Sequence, residues 1–164
     1  MPDVIAEGLR VLFCGINPGL TSAATGLHFA RPGNRFWPVL HDAGFTPRRF
    51  APAEQYELLR HGLGITNVVQ RASARADEVA AEEFREGGRL LTAKVERFRP
   101  EVLAVVGITA YRTAFGERRA VVGEQPRRVG GSRVWVLPNP SGLNAHWSRA
   151  AMAGEYTALR VSLR

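Results

Sequence analysis

Apolar positions along the chain alternate between short continuous runs and stripes of helical spacing. Leu9–Phe13 is a strand pattern that stops at Cys14 and Gly15. Phe36, Trp37, Val39 and Leu40 form a helical stripe that Asn34 can cap and Gly44 can end. A second helix is expected over Ala53–His61, behind Pro52 and before Gly62, followed by a short strand at Ile65–Val69. The polar segment Gln70–Ala81 has no period. In Glu82–Phe98, Phe84, Leu90, Leu91, Val95 and Phe98 recur at helical spacing, and Gly87-Gly88 predicts a late start or a bend. Glu101–Val106 is apolar enough for a central parallel strand. Thr109–Phe115 reads as a helix, Arg118–Ser132 as a hairpin or loop, Arg133–Leu137 as the last strand and Ser148–Leu163 as the last helix.

Strands separated by helices predict an α/β fold, a three-layer α/β/α sandwich around a mainly parallel sheet. No repeat, linker or low-complexity tract divides the 164 residues, so one domain over 1–164 is expected.

Composition narrows the chemistry. At 45% hydrophobic residues the chain can build a core, and no run reaches the roughly 20 apolar residues of a membrane span. The first residues lack a secretory pattern, so a cytoplasmic protein is expected. Cys14 is the only cysteine, which rules out an intramolecular disulfide and a multi-cysteine metal site. As the end of a buried strand it reads as packing. His28, His41, His61 and His146 are not spaced as metal ligands. The net charge of +7 is carried almost wholly by arginine, the only lysine being Lys94. Arginine favours phosphate, which fits either a nucleic-acid partner or a solvated basic surface.

In a parallel sheet, ligands bind beyond the carboxyl ends of the strands. Two unusual segments fall there: Gly15-Ile16-Asn17-Pro18-Gly19-Leu20 after the first strand, and Pro138-Asn139-Pro140-Ser141-Gly142-Leu143-Asn144 after the last. Each carries an Asn-Pro pair. Asparagine offers a donor and an acceptor on a short arm, proline fixes the backbone, and glycine admits close approach. Either segment alone reads equally well as a turn. Between them in sequence, His28–Trp37 sets Arg31 and Arg35 among Phe29, Phe36 and Trp37. Phe36 and Trp37 fit a helix core face, whereas Phe29 lies in a Gly/Pro-rich loop and is free to stack on a ligand.

"GINPGL" (15–20), "RPGNRFW" (31–37), "GITNVVQR" (64–71), "EFREGGRLL" (83–91) and "WVLPNPSGLN" (135–144) resemble, in that order, the mismatch-specific uracil-DNA and thymine-DNA glycosylase family of the uracil-DNA glycosylase superfamily. The resemblance implies a monomeric, monofunctional glycosylase that, with no metal and no cofactor, removes uracil, and by extension thymine or ethenocytosine, from G·U-type mismatches in double-stranded DNA. It implies that Asn17 holds the attacking water, that the main chain at Gly15 and Ile16 faces the flipped base, and that Phe29 stacks on it. It further implies that the loop containing Asn139, Ser141, Gly142, Leu143 and Asn144 enters the duplex with Leu143 as the wedge. Ala145 stands where one bacterial branch of the family carries arginine, so the duplex-filling contact is expected to be weaker or made by different side chains; His146, beside the loop, is a candidate phosphate contact and Arg31 a candidate DNA contact.

Asparagine does not ionise, so Asn17 can orient water but cannot act as a strong base. Asp77, in the segment after the second strand, is a candidate second carboxylate; helix capping is its other reading. Gly19 leaves room where an aromatic ring would block a C5 methyl group. A lyase step needs an amine nucleophile, and Lys94 lies mid-helix. No Gly-rich phosphate loop with lysine follows the first strand, which argues against a nucleotide hydrolase. The remaining alternative is a lesion-binding module with negligible catalysis.

Overall fold

A computed structural model describes residues 1–164. Five strands form one sheet in the order β2-β1-β3-β5-β4: β1 (Val11–Gly15), β2 (Leu63–Asn67), β3 (Val102–Val106), β4 (Gly123–Val129) and β5 (Ser132–Leu137). β1 runs parallel to both β2 and β3, and β3 runs parallel to β5. β4 is antiparallel to β5, closing a hairpin through Gly130-Gly131. The helices are α1 (Leu20–Thr25), α2 (Phe36–Asp42), α3 (Ala81–Phe98), α4 (Ile108–Phe115) and α5 (Arg149–Ser162), with 3-10 segments at Pro52–His61 and Ala76–Glu78.

Strand side chains alternate between two cores, as the period of two requires. Val11, Phe13, Val102, Ala104 and Val106 pack with Phe36, Trp37 and Leu40 of α2 and with Met152, Tyr156 and Leu159 of α5. Leu12, Cys14, Leu103 and Val105 pack with Phe84, Leu91 and Val95 of α3 and with Tyr111 and Phe115 of α4. The expected three-layer α/β/α sandwich is therefore the fold.

Four local expectations need correction. The Gly87-Gly88 pair does not delay α3, which starts at Ala81 and runs unbroken to Phe98. A Cβ at Gly87 would lie 2.2 Å from the Val68 carbonyl oxygen, and one at Gly88 would lie 2.6 Å from that of Ala114. The glycines let α3 press onto the chain beyond β2 and onto α4. The second strand ends at Asn67, two residues earlier than the apolar run indicates, because Val68 and Val69 continue past the sheet into a loop. Pro52–His61 is a 3-10 helix rather than an α-helix. Helix α1 escaped the periodicity reading because its six residues, Leu-Thr-Ser-Ala-Ala-Thr, carry no apolar stripe. At α2 the cap position falls on Arg35, which makes no side-chain cap bond; the expected cap, Asn34, lies one residue earlier and its Oδ1 accepts a hydrogen bond from Phe36 N at 2.9 Å.

Candidate active site

The two Asn-Pro loops meet. Ile16, Asn17, Pro18, Gly19 and Leu20 from the end of β1, and Asn139 and Ser141 from the end of β5, line a single cavity of about 410 Å³. Phe29, Arg31, Asn67 and Ser73 complete much of its wall. The meeting follows from topology, since parallel β1, β2, β3 and β5 all release their loops at one sheet edge.

The sheet register builds the floor. Gly15 of β1 stands beside Asn67 of β2. The pairing then continues past the strands: Val68 N donates to Gly15 O at 2.9 Å and Val69 N to Ile16 O at 3.0 Å. A Cβ at Gly15 would lie 2.6 Å from Asn67 Oδ1 and 3.3 Å from the tip of the Phe29 ring. Only glycine lets these two side chains converge on the first loop.

Asn17 is oriented by the segment after β2. Its Nδ2 donates to the Arg71 carbonyl and to Ser73 Oγ, both at 2.8 Å, and Ser73 N returns a bond to the Pro18 carbonyl at 3.1 Å. With the amino end of the carboxamide engaged, Oδ1 is the end left to face the cavity. Ser73 is buried and its hydroxyl donates to the Arg75 carbonyl at 2.6 Å, which fixes its lone pairs toward Asn17.

Phe29 sits at φ +52°, a left-handed conformation that costs a non-glycine residue energy and clusters at functional sites. Its ring stacks on Phe36 at 4.2 Å between centroids and 21° between planes. Phe36 is fully buried in α2, so Phe29 lies on a rigid platform at the cavity wall. Gly19 opens α1, and a Cβ there would meet nothing within 4 Å.

The second loop is internally bonded. Asn139 Oδ1 accepts from Ser141 N at 3.0 Å, and Ser141 Oγ accepts from Leu143 N at 3.2 Å. Asn144 uses its whole carboxamide inside the loop: Nδ2 donates to Asn139 O at 3.0 Å and Oδ1 accepts from His146 N at 3.1 Å. Asn144 thus shapes the loop. Leu143 projects from the tip, 70% exposed. Gly142 rides against the second motif, where a Cβ would come within 2.5 Å of the Gly33 carbonyl oxygen. Arg31 is exposed on the cavity rim, and His146 is exposed on the far side of the loop.

Asp77 is not brought to Asn17. Its side chain is 74% exposed in the 3-10 segment and is ion-paired to Arg75 Nε at 3.0 Å. It lines a separate, more apolar cavity of about 630 Å³, together with Phe84, Ile108, His146 and Trp147. Ile16, Ala76 and Asn139 form the ridge between the two cavities. Instead of a carboxylate, the segment after β2 delivers to the site the groups that hold Asn17.

Asn67 is the residue the sequence reading passed over. It is only 6% exposed, lines the cavity, and its carboxamide makes no hydrogen bond within the protein. Its amide opens onto the cavity, where donor and acceptor are both free to meet a ligand. The signal was a polar residue closing an otherwise buried strand, hidden because the strand was placed two residues too late. His28 also lines the cavity; burial lowers its pKa, against the opposing pull of its Nε2–H bond to the Pro2 carbonyl at 2.8 Å. Cys14 is fully buried and desolvation raises its thiol pKa far above the ordinary value, which removes it as a nucleophile. Lys94 is held by Asp3 at 2.6 Å and by Thr66 Oγ1 at 3.0 Å.

An α/β/α sheet whose edge gathers a fixed asparagine, a stacked aromatic and an exposed leucine loop forms a ligand site of the kind that parallel sheets place beyond their strand ends. The Uracil DNA glycosylase superfamily model matches residues 2–160, and the chain belongs to that superfamily. It is a DNA glycosylase, a hydrolase of N-glycosyl bonds, and DNA is its substrate. The fold is shared with the solution NMR structure of a candidate uracil DNA glycosylase from Methanosarcina acetivorans. That chain is 20% identical, at a TM-score of 0.63, with 98% of this chain and 96% of the other covered.

Proposed function

We propose that the protein hydrolytically excises uracil from G·U-type mismatches in duplex DNA, admits C5-substituted or exocyclic pyrimidines such as thymine and ethenocytosine, and leaves the abasic strand uncut. The observation that carries this reading is the convergence of Asn17, Asn67 and Phe29 on one slot beside an exposed leucine loop.

A mismatched base costs least to unstack, and Leu143 entering the gap replaces part of the lost stacking. The extruded pyrimidine lies on Phe29, backed by Phe36. Its polar edge meets the unpaired carboxamide of Asn67, which supplies both a donor and an acceptor. Asn17 Oδ1 accepts a proton-bearing edge of water and aims the oxygen at C1′ of a sugar that has become oxocarbenium-like. The C1′–N bond breaks with its electron pair on the base, which departs as an anion with its carbonyl oxygen met by main-chain N–H groups at Ile16 and Asn17; the proton that the attacking water loses on bonding to C1′ passes to solvent or to the released base. No carboxylate lines the slot, so the rate rests on leaving-group stabilisation and orientation rather than on a strong base.

The test is a single-turnover assay on a G·U duplex. Release of free uracil with an intact abasic strand is the expected result, and it should be lost in Asn17→Ala. Tight mismatch binding without base release would instead establish a lesion-binding module.

A further inference from the structure

The second motif is bolted to the wedge loop by one side chain. Arg35 stands at the N-terminal boundary of α2, next to Phe36, Trp37 and Pro38, all buried. Its guanidinium donates to three main-chain carbonyls of the loop between β5 and α5: Nη1 to Trp147 O at 2.6 Å, and Nη2 to Ser141 O and to Asn144 O, both at 2.9 Å. Its own N–H donates to the Pro140 carbonyl at 2.8 Å. Four bonds therefore reach 140, 141, 144 and 147, on both sides of Leu143. No other side chain outside the loop donates hydrogen bonds to its main chain.

We infer that Arg35 is a positioning residue for duplex entry: it pre-shapes the 139–147 loop around its guanidinium so that Leu143 stands ready as a wedge. This rests on the proposed reading of Leu143. An exposed apolar tip gains little from entering a base stack if the loop must first be ordered, and fixing that loop beforehand removes the ordering cost. Arginine suits the task better than lysine because its planar fork serves several carbonyls at once and stays charged. The anchor is rigid, since α2 is packed against both β1 and α5 through Phe36, Val39 and Leu40. The Gly33–Gly142 contact adds a second point where the motifs touch. Asn17 and Phe29 do not depend on the guanidinium, because Asn17 is held by Arg71 and Ser73 and Phe29 by Phe36; only the Asn139–Ser141 part of the slot wall belongs to the loop that Arg35 holds.

The experiment compares wild type, Arg35→Met and Arg35→Lys on uracil in a G·U duplex and in a single strand, with thermal melting as the control for folding. The single strand needs no wedge. Arg35→Met is expected to lose about 30-fold or more on the duplex and no more than about threefold on the single strand, with Arg35→Lys in between. A double variant with Leu143→Ala should be no slower on the duplex than Leu143→Ala alone, because the wedge is then already gone. Equal losses on both substrates, or additive losses in the double variant, would overturn the inference. Amide exchange in 139–147, measured without DNA, supplies a readout independent of chemistry: it must accelerate in both Arg35 variants while α5 stays protected. Unchanged exchange would sink the inference even for an active enzyme. Should wild type release no uracil from either substrate, the proposed function fails. Fluorescence of 2-aminopurine beside the mismatch then decides: wild-type binding raises it and Arg35→Met does not, or the inference fails as well.

Discussion

Asn17 and Ser73 are 56 residues apart in sequence and share a hydrogen bond of 2.8 Å, from Nδ2 to Oγ. That bond, with its twin to the Arg71 carbonyl, converts a freely rotating amide into a fixed acceptor. Positioned groups that act on a proton typically contribute about 10²–10⁴-fold in rate. Asn17→Ala should therefore lower single-turnover excision by roughly that factor while leaving duplex binding within a few-fold. Ser73→Ala removes one of two tethers, worth about 1 kcal/mol, and should cost about fivefold in the chemical step with little change in KM. A Ser73→Ala effect confined to KM would mean that Asn17 does not need its tether.

Asn67 differs from Asn17 in having no partner. If it reads the polar edge of the pyrimidine, removing it leaves the base's own groups unmet in a buried slot, at about 1–3 kcal/mol. Asn67→Ala should lose about 10–100-fold in kcat/KM on uracil. Excision of bases that present a different edge should fall less, so discrimination among substrates narrows. A uniform loss across substrates would assign Asn67 to the floor of the slot rather than to recognition.

How much of this was legible beforehand depended on whether the deciding contact is local. The layers, the parallel sheet and the two loops follow from apolar periodicity and from the rule that parallel strands open their ligand loops at one edge. Asn17, Phe29 and Asn139 could be singled out because each sits in a turn motif after or near a strand. What could not be read were choices made by distant partners. Gly87 and Gly88 look like helix breakers until Val68 and Ala114 are seen against them. Asp77 looks like a spare carboxylate until Arg75 is seen to hold it in solvent. Asn67 vanished inside an apolar run whose end point is set by loop pairing and not by hydropathy. Arg35 was visible as a charge among aromatics, but nothing local says that three carbonyls from 141–147 will surround it.

The exposed, ion-paired state of Asp77 gives a sharp contrast with Asn17. Asp77→Ala should keep excision within about threefold of wild type, since a solvated surface pair contributes little. A large loss in Asp77→Ala would require the 3-10 segment to swing across the Ile16–Asn139 ridge when DNA binds.

Gly19 tests selectivity separately from catalysis. Space beyond its Cα is open, so Gly19→Phe should fold normally. A ring at the slot mouth narrows the room for a C5 substituent. Uracil excision should stay within about tenfold of wild type, and any thymine or ethenocytosine release should fall further, because steric exclusion acts on the larger base alone. Parallel losses on all three bases would place the C5 edge elsewhere in the slot.

Glu83 ties acid stability to the site. It binds Arg71 through two bonds, of 2.7 and 3.0 Å, and accepts from Ala80 N at 2.8 Å at the start of α3. The Arg71 hydrogen bond, helped by that main-chain N–H, lowers the Glu83 pKa from 4.5 to about 2. A carboxylate whose pKa is depressed on folding stabilises the native state above its unfolded value and stops doing so as pH falls through the folded one. This contribution is thus complete above about pH 4.5 and disappears toward pH 2. Glu54, bound to Arg48 far from the slot, is lowered to about 2 in the same way. Glu83→Gln and Glu54→Gln should each flatten part of the acid limb of thermal stability. Only Glu83→Gln should also slow excision at neutral pH, because Arg71 carries the carbonyl that holds Asn17. Paired melting curves and single-turnover rates for the two variants check this, and an equal slowing in Glu54→Gln would break the link between the Arg71 clamp and the attacking water.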